Sequence, residues 1–187
     1  GLSIAKQLLD LMGASVKVES ELGEGTTFAV DIDFELVDNE TAKKFIKSKE
    51  EKISMLAPKL DGTKVLLVED HPLNAEIAIK LLEKAGCEVT WTENGMLGVD
   101  TYLRSDLFYY DAVLMDIRMP VKNGIDAAKE IREADREDAK STPIIAMTAN
   151  AYDEDIKASL DAGMNAHLAK PFDPSELYET LEKCLSK

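Results

Sequence analysis

The sequence predicts an α/β protein whose main part is a doubly wound parallel sheet of five strands. Strand-like and helix-like patterns alternate five times over residues 63–187, which is the order expected of such a sheet. Two of the predicted strands, residues 65–68 and 112–115, are continuous apolar runs, typical of parallel strands buried on both faces. A separate helix and β-hairpin are predicted in residues 1–37.

Composition excludes several classes of protein. The 187 residues suffice for one or two domains, and 45% hydrophobic with 31% charged residues excludes a disordered tail, a collagen-like chain and a disulfide scaffold. With 22 Lys+Arg against 36 Asp+Glu the net charge is −14, so the surface repels phosphate backbones and anionic lipids. We therefore expect no direct nucleic-acid binding and no membrane contact by this fragment.

The two cysteines and the chain start bear on location. Cys87 and Cys184 fit neither a zinc cluster nor a disulfide framework, so we expect two reduced thiols. No apolar run reaches the roughly 18 residues of a membrane span, which favours a cytoplasmic location for this piece, whereas its parent can be membrane-anchored. The chain starts at Gly1 without a signal-peptide pattern, and we expect it to be the C-terminal piece of a longer protein.

The first 37 residues predict a helix that is apolar over a wide arc, ended by Gly13, and then a hairpin that turns at residues 23–25. One face of the second strand is apolar, and it comprises Phe28, Val30, Ile32, Phe34 and Leu36. Because one helix and one hairpin cannot form a stable domain alone, their missing core must come from absent residues, from the rest of the chain or from another copy. We favour a homodimer through residues 1–37.

Residues 38–62 are polar and charged, with weak apolar periodicity that ends at Pro58 and Gly62. They predict either a charged spacer helix or a flexible linker. The predicted organisation is therefore a first segment 1–37, a linker 38–62 and a sheet domain 63–187.

The helices of the sheet domain follow from apolar spacing and from residues that begin or end helices. The first starts at Pro72 and ends at Gly86, and the second follows a strand at residues 87–91. In the second helix, which follows Asn94, the side chains predicted to face inward are Met96, Val99 and Leu103. The apolar residues that mark the third to the fifth helix are Ile125, Ala128 and Ile131, then Ile156 and Leu160, and finally Leu177, Leu181 and Cys184. The fourth strand is predicted at residues 143–147, and a short fifth strand at 166–168.

Reactive side chains follow four of these strands. Glu69 and Asp70 follow the first, Asp116 the third, Thr148 the fourth and Lys170 the fifth. Ligands of open parallel sheets bind at the carboxyl ends of the strands, so we expect these groups to converge. Clustered carboxylates need a compensating charge, and oxygen ligands of this kind suit Mg²⁺. Asp116 can then act as a nucleophile, with Lys170 and Thr148 facing the oxygens of a phosphoryl group.

Residues 64–187 resemble the receiver domain of response regulators in two-component signalling. The matching pieces are VLLVEDHPLN, DAVLMDIRMPVKNG, PIIAMTAN and HLAKPF. The resemblance implies a flavodoxin-like fold, with Asp116 as the phosphoacceptor. It also implies that Asp70, Asp116 and the backbone carbonyl of Arg118 hold Mg²⁺, with Glu69 acting through metal-bound water.

The same resemblance implies a switch. Thr148 and His167 would be the switch pair, and Lys170 would be the cation that binds the phosphate. The Lys170–Pro171 bond is a candidate for a cis peptide, which would direct the ammonium inward. Phosphorylation would move Thr148 towards Asp116, with His167 following inward.

Residues 1–37 resemble the end of a histidine-kinase ATPase domain. The matching stretch is GLSIAKQLLDLMGASVKVESELGEGTTFAVDIDF. A kinase end followed by a receiver implies a hybrid sensor histidine kinase as the parent. Of the nucleotide-facing loops only Gly1 and the pair Gly25 and Thr26 have a match, and the phosphorylated histidine has none. We expect this fragment not to bind ATP usefully, and only to take phosphoryl groups from phosphodonors and lose them.

The expected function is therefore a phosphorelay step. The donor would be a phosphohistidine on the dimerisation domain of a histidine kinase. The acceptor after Asp116 would be a histidine phosphotransfer protein or a downstream regulator, unless the phosphate is lost by hydrolysis. The main alternative is a docking module that never takes phosphate. A phosphohydrolase is disfavoured because Arg118 stands where its second aspartate is needed, and a flavin site because EDHPLN is acidic.

Five further residues lie in or near these motifs. We interpret His71 as a loop residue beside the acidic site, and we interpret Trp91 and the pair Tyr109 and Tyr110 as packing residues. For Asn74 the sequence leaves open whether it touches the site.

Overall fold

A computed structural model describes residues 2–34, 36–148 and 153–186, without the side chains of 2–4, 49–56 and 153–155. Gly1, for which a place at the end of the ATPase lid was predicted, lies outside the described residues. The chain divides into two compact units, Gly1–Lys47 and Ser48–Lys187.

The first unit consists of a helix and a two-stranded antiparallel sheet. The helix α1 (Leu2–Leu11) is followed by β1 (Ser15–Glu21) and β2 (Gly25–Asp31). The prediction that apolar alternation continues in a strand to Leu36 is wrong, because β2 ends at Asp31, which pairs with Ser15 at the first position of β1. Beyond that pair β1 offers no partner, so the chain leaves the sheet.

Residues 38–62, predicted to be either a charged spacer helix or a flexible linker, contain a helix. This helix, α2 (Asn39–Leu56), begins after Asp38, whose Oδ1 accepts hydrogen bonds from the backbone N–H groups of Glu40 at 3.0 Å and Thr41 at 2.9 Å. A carboxylate that accepts from the first free N–H groups of a helix stabilises its start. The structure therefore contains the helix that one of the two alternatives predicted, while its role as a spacer stays a prediction.

The second unit contains the predicted five-stranded parallel sheet. Its strands are β3 (Lys64–Val68), β4 (Glu88–Thr92), β5 (Ala112–Asp116), β6 (Ile144–Thr148) and β7 (Ala166–Ala169). Their spatial order is β4-β3-β5-β6-β7, and every neighbouring pair is parallel. The chain reverses direction across the sheet after β4, so the switch in strand order lies between β3 and β5, where ligands of such sheets bind.

Helices cover both faces of this sheet. They are α3 (Pro72–Lys84), α4 (Gly95–Arg104), α5 (Gly124–Glu133), α6 (Asp153–Asp161) and α7 (Pro174–Leu185), with a 3₁₀ helix at Glu137–Lys140. Alternate residues of β3 point to opposite faces: Val65 and Leu67 pack with α3 and α7, whereas Leu66 and Val68 pack with α4 and α5. No helix among the described residues is both long and apolar enough to cross a membrane.

The buried face of α4 differs from the predicted one. Val99 is buried as expected, but Met96 and Leu103 are exposed, and the buried positions include Gly98 and Tyr102. A Cβ at position 98 would lie 2.8 Å from Cγ2 of Val68, so the helix approaches the sheet through a residue that apolar periodicity does not count. The glycine, rather than the larger apolar residues, determines which face is inward.

Neither Cys87 nor Cys184 forms a disulfide within the part of the chain that the structure describes. Cys87 is buried, and burial together with the charge of Asp111 raises its pKa to about 11. A thiol with so high a pKa is a packing group rather than a nucleophile at neutral pH.

Candidate functional site

Three carboxylates meet at the carboxyl ends of β3 and β5. Glu69 and Asp70 directly follow β3, and Asp116 is the last residue of β5. Each offers a carboxylate oxygen, and these oxygens lie within 4.8 Å of one another. Glu69 is 1% and Asp116 6% exposed, while Asp70 is half-buried. Buried carboxylates at this spacing repel one another and therefore need a cation.

Lys170 supplies one positive charge. It follows β7, and its Nζ lies 2.6 Å from Oδ2 of Asp116 and 2.5 Å from Oε2 of Glu69. Its backbone N–H donates to the carbonyl of Thr148 at 2.8 Å, and the Lys170–Pro171 bond is cis, as predicted. One ammonium against three carboxylates leaves the cluster with excess negative charge, which favours binding of a further cation.

The protonation of Asp116 reflects opposing influences. Burial raises the pKa of the Asp116 carboxyl, and the nearby charge of Glu69 adds to this. The hydrogen bond and charge of Lys170, and the backbone N–H of Arg118 at 3.1 Å from Oδ1, act in the opposite direction, yet the pKa stays above its ordinary value. The ionised carboxylate therefore depends on cations beside it.

Glu69 is held through its side chain and its backbone. Oε1 accepts from Nδ2 of Asn74 at 3.0 Å and from the backbone N–H of His71 at 3.3 Å. Its backbone carbonyl accepts from Nε1 of Trp91 at 2.8 Å, and its N–H donates to the carbonyl of Thr92 at 3.0 Å. Asn74 thus touches the site through Glu69, and Trp91 has a polar contact that the packing interpretation did not include.

Gly124 allows α5 to begin against the backbone of Asp116. A Cβ at position 124 would lie only 2.1 Å from the carbonyl oxygen of Asp116, and the Gly124 N–H donates to the carbonyl of Ile117 at 3.0 Å. The preceding Asn123 caps the helix, because its Oδ1 accepts from the N–H of Asp126 at 2.9 Å. Sequence analysis did not single out Gly124; a glycine directly after a capping asparagine is the signal that could have identified it.

The remaining predicted residues lie around this cluster. Thr148 is the buried last residue of β6, beside β5. His167 lies in β7 with its side chain exposed, in register with Ala146 rather than with Thr148. The side chain of Arg118 is exposed, and its backbone follows Asp116 in the turn that supplies the N–H to Oδ1.

Comparison with known proteins identifies the family. The sequence model of the response regulator receiver domain family matches residues 65–182. The autoinducer 2 sensor kinase/phosphatase LuxQ of Vibrio vulnificus is 35% identical over 181 residues, 97% of this chain and 20% of LuxQ. The aerobic respiration control sensor protein ArcB of Escherichia coli is 34% identical over 184 residues, 98% of this chain and 22% of ArcB. The chain thus spans about a fifth of the length of these relatives.

Solved structures agree with the fold. The receiver domain of sensor histidine kinase PA1611 from Pseudomonas aeruginosa, crystallised with a magnesium ion in its active-site cleft, is 41% identical, with a TM-score of 0.61 over 67% of this chain and 99% of that chain. A chain of the Saccharomyces cerevisiae complex between the histidine phosphotransfer protein Ypd1 and the receiver domain of Ssk1 is 26% identical, with a TM-score of 0.60 over 67% of this chain and 90% of that chain.

These matches confirm the predicted receiver and its flavodoxin-like fold. The resemblance of residues 1–37 to an ATPase end stays a prediction, because the family match begins at residue 65. Through residues 65–182 the chain belongs to the response regulator receiver family, of the kind present in hybrid histidine kinases of two-component signalling.

Proposed function

We propose that this receiver takes a phosphoryl group from phosphohistidine onto Asp116. The observation that carries the proposal is the buried Asp116 carboxylate, held by Lys170 beside two further carboxylates at the switch in strand order. In the transfer the N–P bond of the donor breaks, an O–P bond to a carboxylate oxygen of Asp116 forms, and the imidazole leaves with the electron pair of the broken bond.

The residues present fit Mg²⁺. Carboxylate and carbonyl oxygens are the ligands that Mg²⁺ prefers, and the cluster carries more negative charge than Lys170 can compensate. We propose that Asp70, Asp116 and the backbone carbonyl of Arg118 hold the ion, with Glu69 acting through water. When bound, the ion would neutralise charge on the transferring phosphoryl group.

The protein's own residues have separate roles in this proposal. Asp116 is the nucleophile, and its Oδ1 stays oriented by the backbone N–H of Arg118. The Lys170 ammonium, already 2.6 Å from Oδ2, stabilises the negative charge of the phosphoryl oxygens. Thr148, buried at the end of the neighbouring strand, donates a hydrogen bond from its hydroxyl to an oxygen of the same phosphoryl group.

We propose that phosphorylation also switches the conformation. Thr148 would move towards the phosphoryl group, and His167, whose side chain is exposed in this structure, would turn inward. This change would repack the face formed by α6, β7 and α7. A surface that differs between two states is what a partner needs in order to recognise phosphorylation.

The proposed partners follow from the relatives. A hybrid sensor histidine kinase is the proposed parent, and its phosphohistidine domain is the proposed donor. A histidine phosphotransfer protein or a downstream regulator is the proposed recipient, which the similarity to the Ypd1–Ssk1 complex supports. A docking module without phosphate chemistry is not favoured, because docking does not require two buried carboxylates around Lys170. A cytoplasmic location also remains our proposal for this part of the parent.

For residues 1–37 we propose association with a second copy. An apolar groove of about 440 Å³ lies between α1 and the hairpin, lined by Ala5, Leu9, Val16, Val18, Phe28 and Val30 with Lys6. Exposed apolar surface of this kind favours association. Sedimentation velocity of the full chain should show a dimer that the Phe28→Asp variant weakens, and a monomer at all concentrations would contradict the proposal.

Intact-mass spectrometry tests the proposed chemistry. Incubation with acetyl phosphate and Mg²⁺ should add one phosphoryl group, whereas chelation of the metal or the Asp116→Asn substitution should prevent the addition. Circular dichroism of the variant establishes that it is folded. Equal phosphorylation of the wild type and of the folded Asp116→Asn variant would contradict Asp116 as the acceptor.

A further inference from the structure

We propose that Trp91 is a positioning residue for the acidic site, because its indole fixes the peptide between Glu69 and Asp70. Its Nε1 donates to the backbone carbonyl of Glu69 at 2.8 Å, across 22 positions of sequence. The bond joins edge strand β4 to the loop that carries two of the three carboxylates. The inference rests on the proposed function, since it assigns a residue that serves the same site.

The place of this bond in the sheet explains why a side chain is needed. The pairing of β3 with β4 ends at Val68 and Thr92, and the N–H of Glu69 makes one more bond, to the carbonyl of Thr92. The Glu69 carbonyl lies beyond the last strand pair, so the backbone of β4 does not supply its donor. The indole N–H supplies it instead.

Fixing this carbonyl constrains Asp70. The peptide unit is planar, so holding the Glu69 carbonyl also holds the N–H of Asp70 and the direction in which its Cα leaves the strand. Among the described residues the Asp70 carboxylate accepts no hydrogen bond, so its position depends on its backbone. Glu69, in contrast, is also held through its side chain by Asn74 and Lys170.

Packing alone does not account for the tryptophan. Trp91, the only tryptophan of the chain, is 42% exposed, so much of its indole ring is not packed against the protein. Phenylalanine is equally suited to a strand and keeps an aromatic ring, but it lacks the N–H group. The Trp91→Phe variant therefore removes the donor together with one of the two fused rings, while an aromatic side chain stays at this position. Tyr109→Phe is a matched control, because Tyr109 is 41% exposed and precedes β5, at the opposite end of the sheet.

The experiment is isothermal titration of the full chain with Mg²⁺, for the wild type and both variants. Loss of one hydrogen bond of ordinary strength predicts that Trp91→Phe raises the Kd for Mg²⁺ about fivefold. Tyr109→Phe should leave the Kd unchanged. A Trp91→Phe Kd equal to that of the wild type, or an equal rise in Tyr109→Phe, would overturn the proposal.

Amide hydrogen exchange in metal-free buffer provides a second measurement that does not depend on the metal. Exchange at residues 69–71 should be about fivefold faster in Trp91→Phe, with β5 and β6 unchanged. Unchanged exchange at residues 69–71, or a uniform acceleration over the whole sheet, would contradict a positioning role. Absence of Mg²⁺ binding by the wild type would instead contradict the proposed metal site, while the exchange data would still decide the role of Trp91.

Discussion

The hairpin of the first unit and the sheet of the second differ in what covers their apolar faces. Every residue of β1 and β2 is exposed, although their apolar residues alternate regularly. Every residue of β5 and β6 is buried, because α3 and α7 cover one face of that sheet, and α4 and α5 the other. Apolar alternation thus accompanies the strands β1 and β2, but a strand contributes a core only where the chain supplies a layer against each apolar face.

The largest expected difference between the two units comes from matched leucine substitutions. Leu114→Ala, in the fully buried β5, should lower the free energy of unfolding by about 3 kcal/mol through lost burial and a cavity. Leu11→Ala, where the side chain is 85% exposed, should change it by less than about 0.5 kcal/mol. Urea denaturation followed by circular dichroism measures both, and equal losses would contradict the contrast.

A matched pair of arginines contrasts buried and exposed ion pairs within the second unit. Arg136 pairs with the buried Asp138 at 2.9 Å and donates to the carbonyls of Leu103, Ser105 and Asp106. Its replacement by alanine leaves Asp138 buried and unpaired, so we expect a loss of about 3 kcal/mol in urea denaturation. Arg104→Ala removes an exposed pair with Asp100, which should cost about 0.3 kcal/mol. Similar losses in the two variants would show that burial does not matter here.

A methyl group at position 124, beside the acidic site, should also lower the free energy of unfolding. Gly124→Ala places a Cβ against the carbonyl of Asp116, and relief of that contact requires α5 or β5 to shift. We expect a loss of about 2 kcal/mol in thermal or urea unfolding, together with slower phosphorylation. Lys129→Ala, on the exposed face of the same helix, is the control and should be near neutral. A neutral Gly124→Ala would mean that the close approach is readily relaxed.

The smallest expected effect is a pH dependence of the Arg136 contribution. The hydrogen bond from Arg136 holds the pKa of Asp138 below its ordinary value of 3.8. A depressed folded-state pKa contributes stability that is complete above the unfolded value and is lost as the pH falls through the folded value. The stability difference between wild type and Arg136→Ala should therefore be constant from pH 7 to about 5 and shrink below 3.8. A difference that grows as the pH falls would contradict this assignment.

The sequence was sufficient to predict the parallel sheet and the convergence of charged side chains at the carboxyl ends of its strands. Continuous apolar runs at residues 65–68 and 112–115 imply strands buried on both faces, and parallel strands bring their carboxyl ends together. The proximity of Glu69, Asp70, Asp116 and Lys170 follows from that topology.

Other features depend on contacts that no local pattern encodes. The inward face of α4 is determined by Gly98, which has no side chain to register in apolar periodicity. The end of β2 depends on where β1 stops pairing, and the bond between Trp91 and Glu69 crosses between strands. Each requires the register of two elements, which apolar spacing within one element does not specify.

The most direct test of the account locates the phosphoryl group itself. The chain would be phosphorylated with acetyl phosphate and Mg²⁺ and treated with hydroxylamine, which converts an acyl phosphate to a hydroxamate. Peptide mass spectrometry would then locate the modified residue. We predict a hydroxamate at Asp116 alone, formed only after phosphorylation. A hydroxamate at Asp70 or Glu69, or a phosphoryl group that resists hydroxylamine, would contradict the central claim that Asp116 is the acceptor.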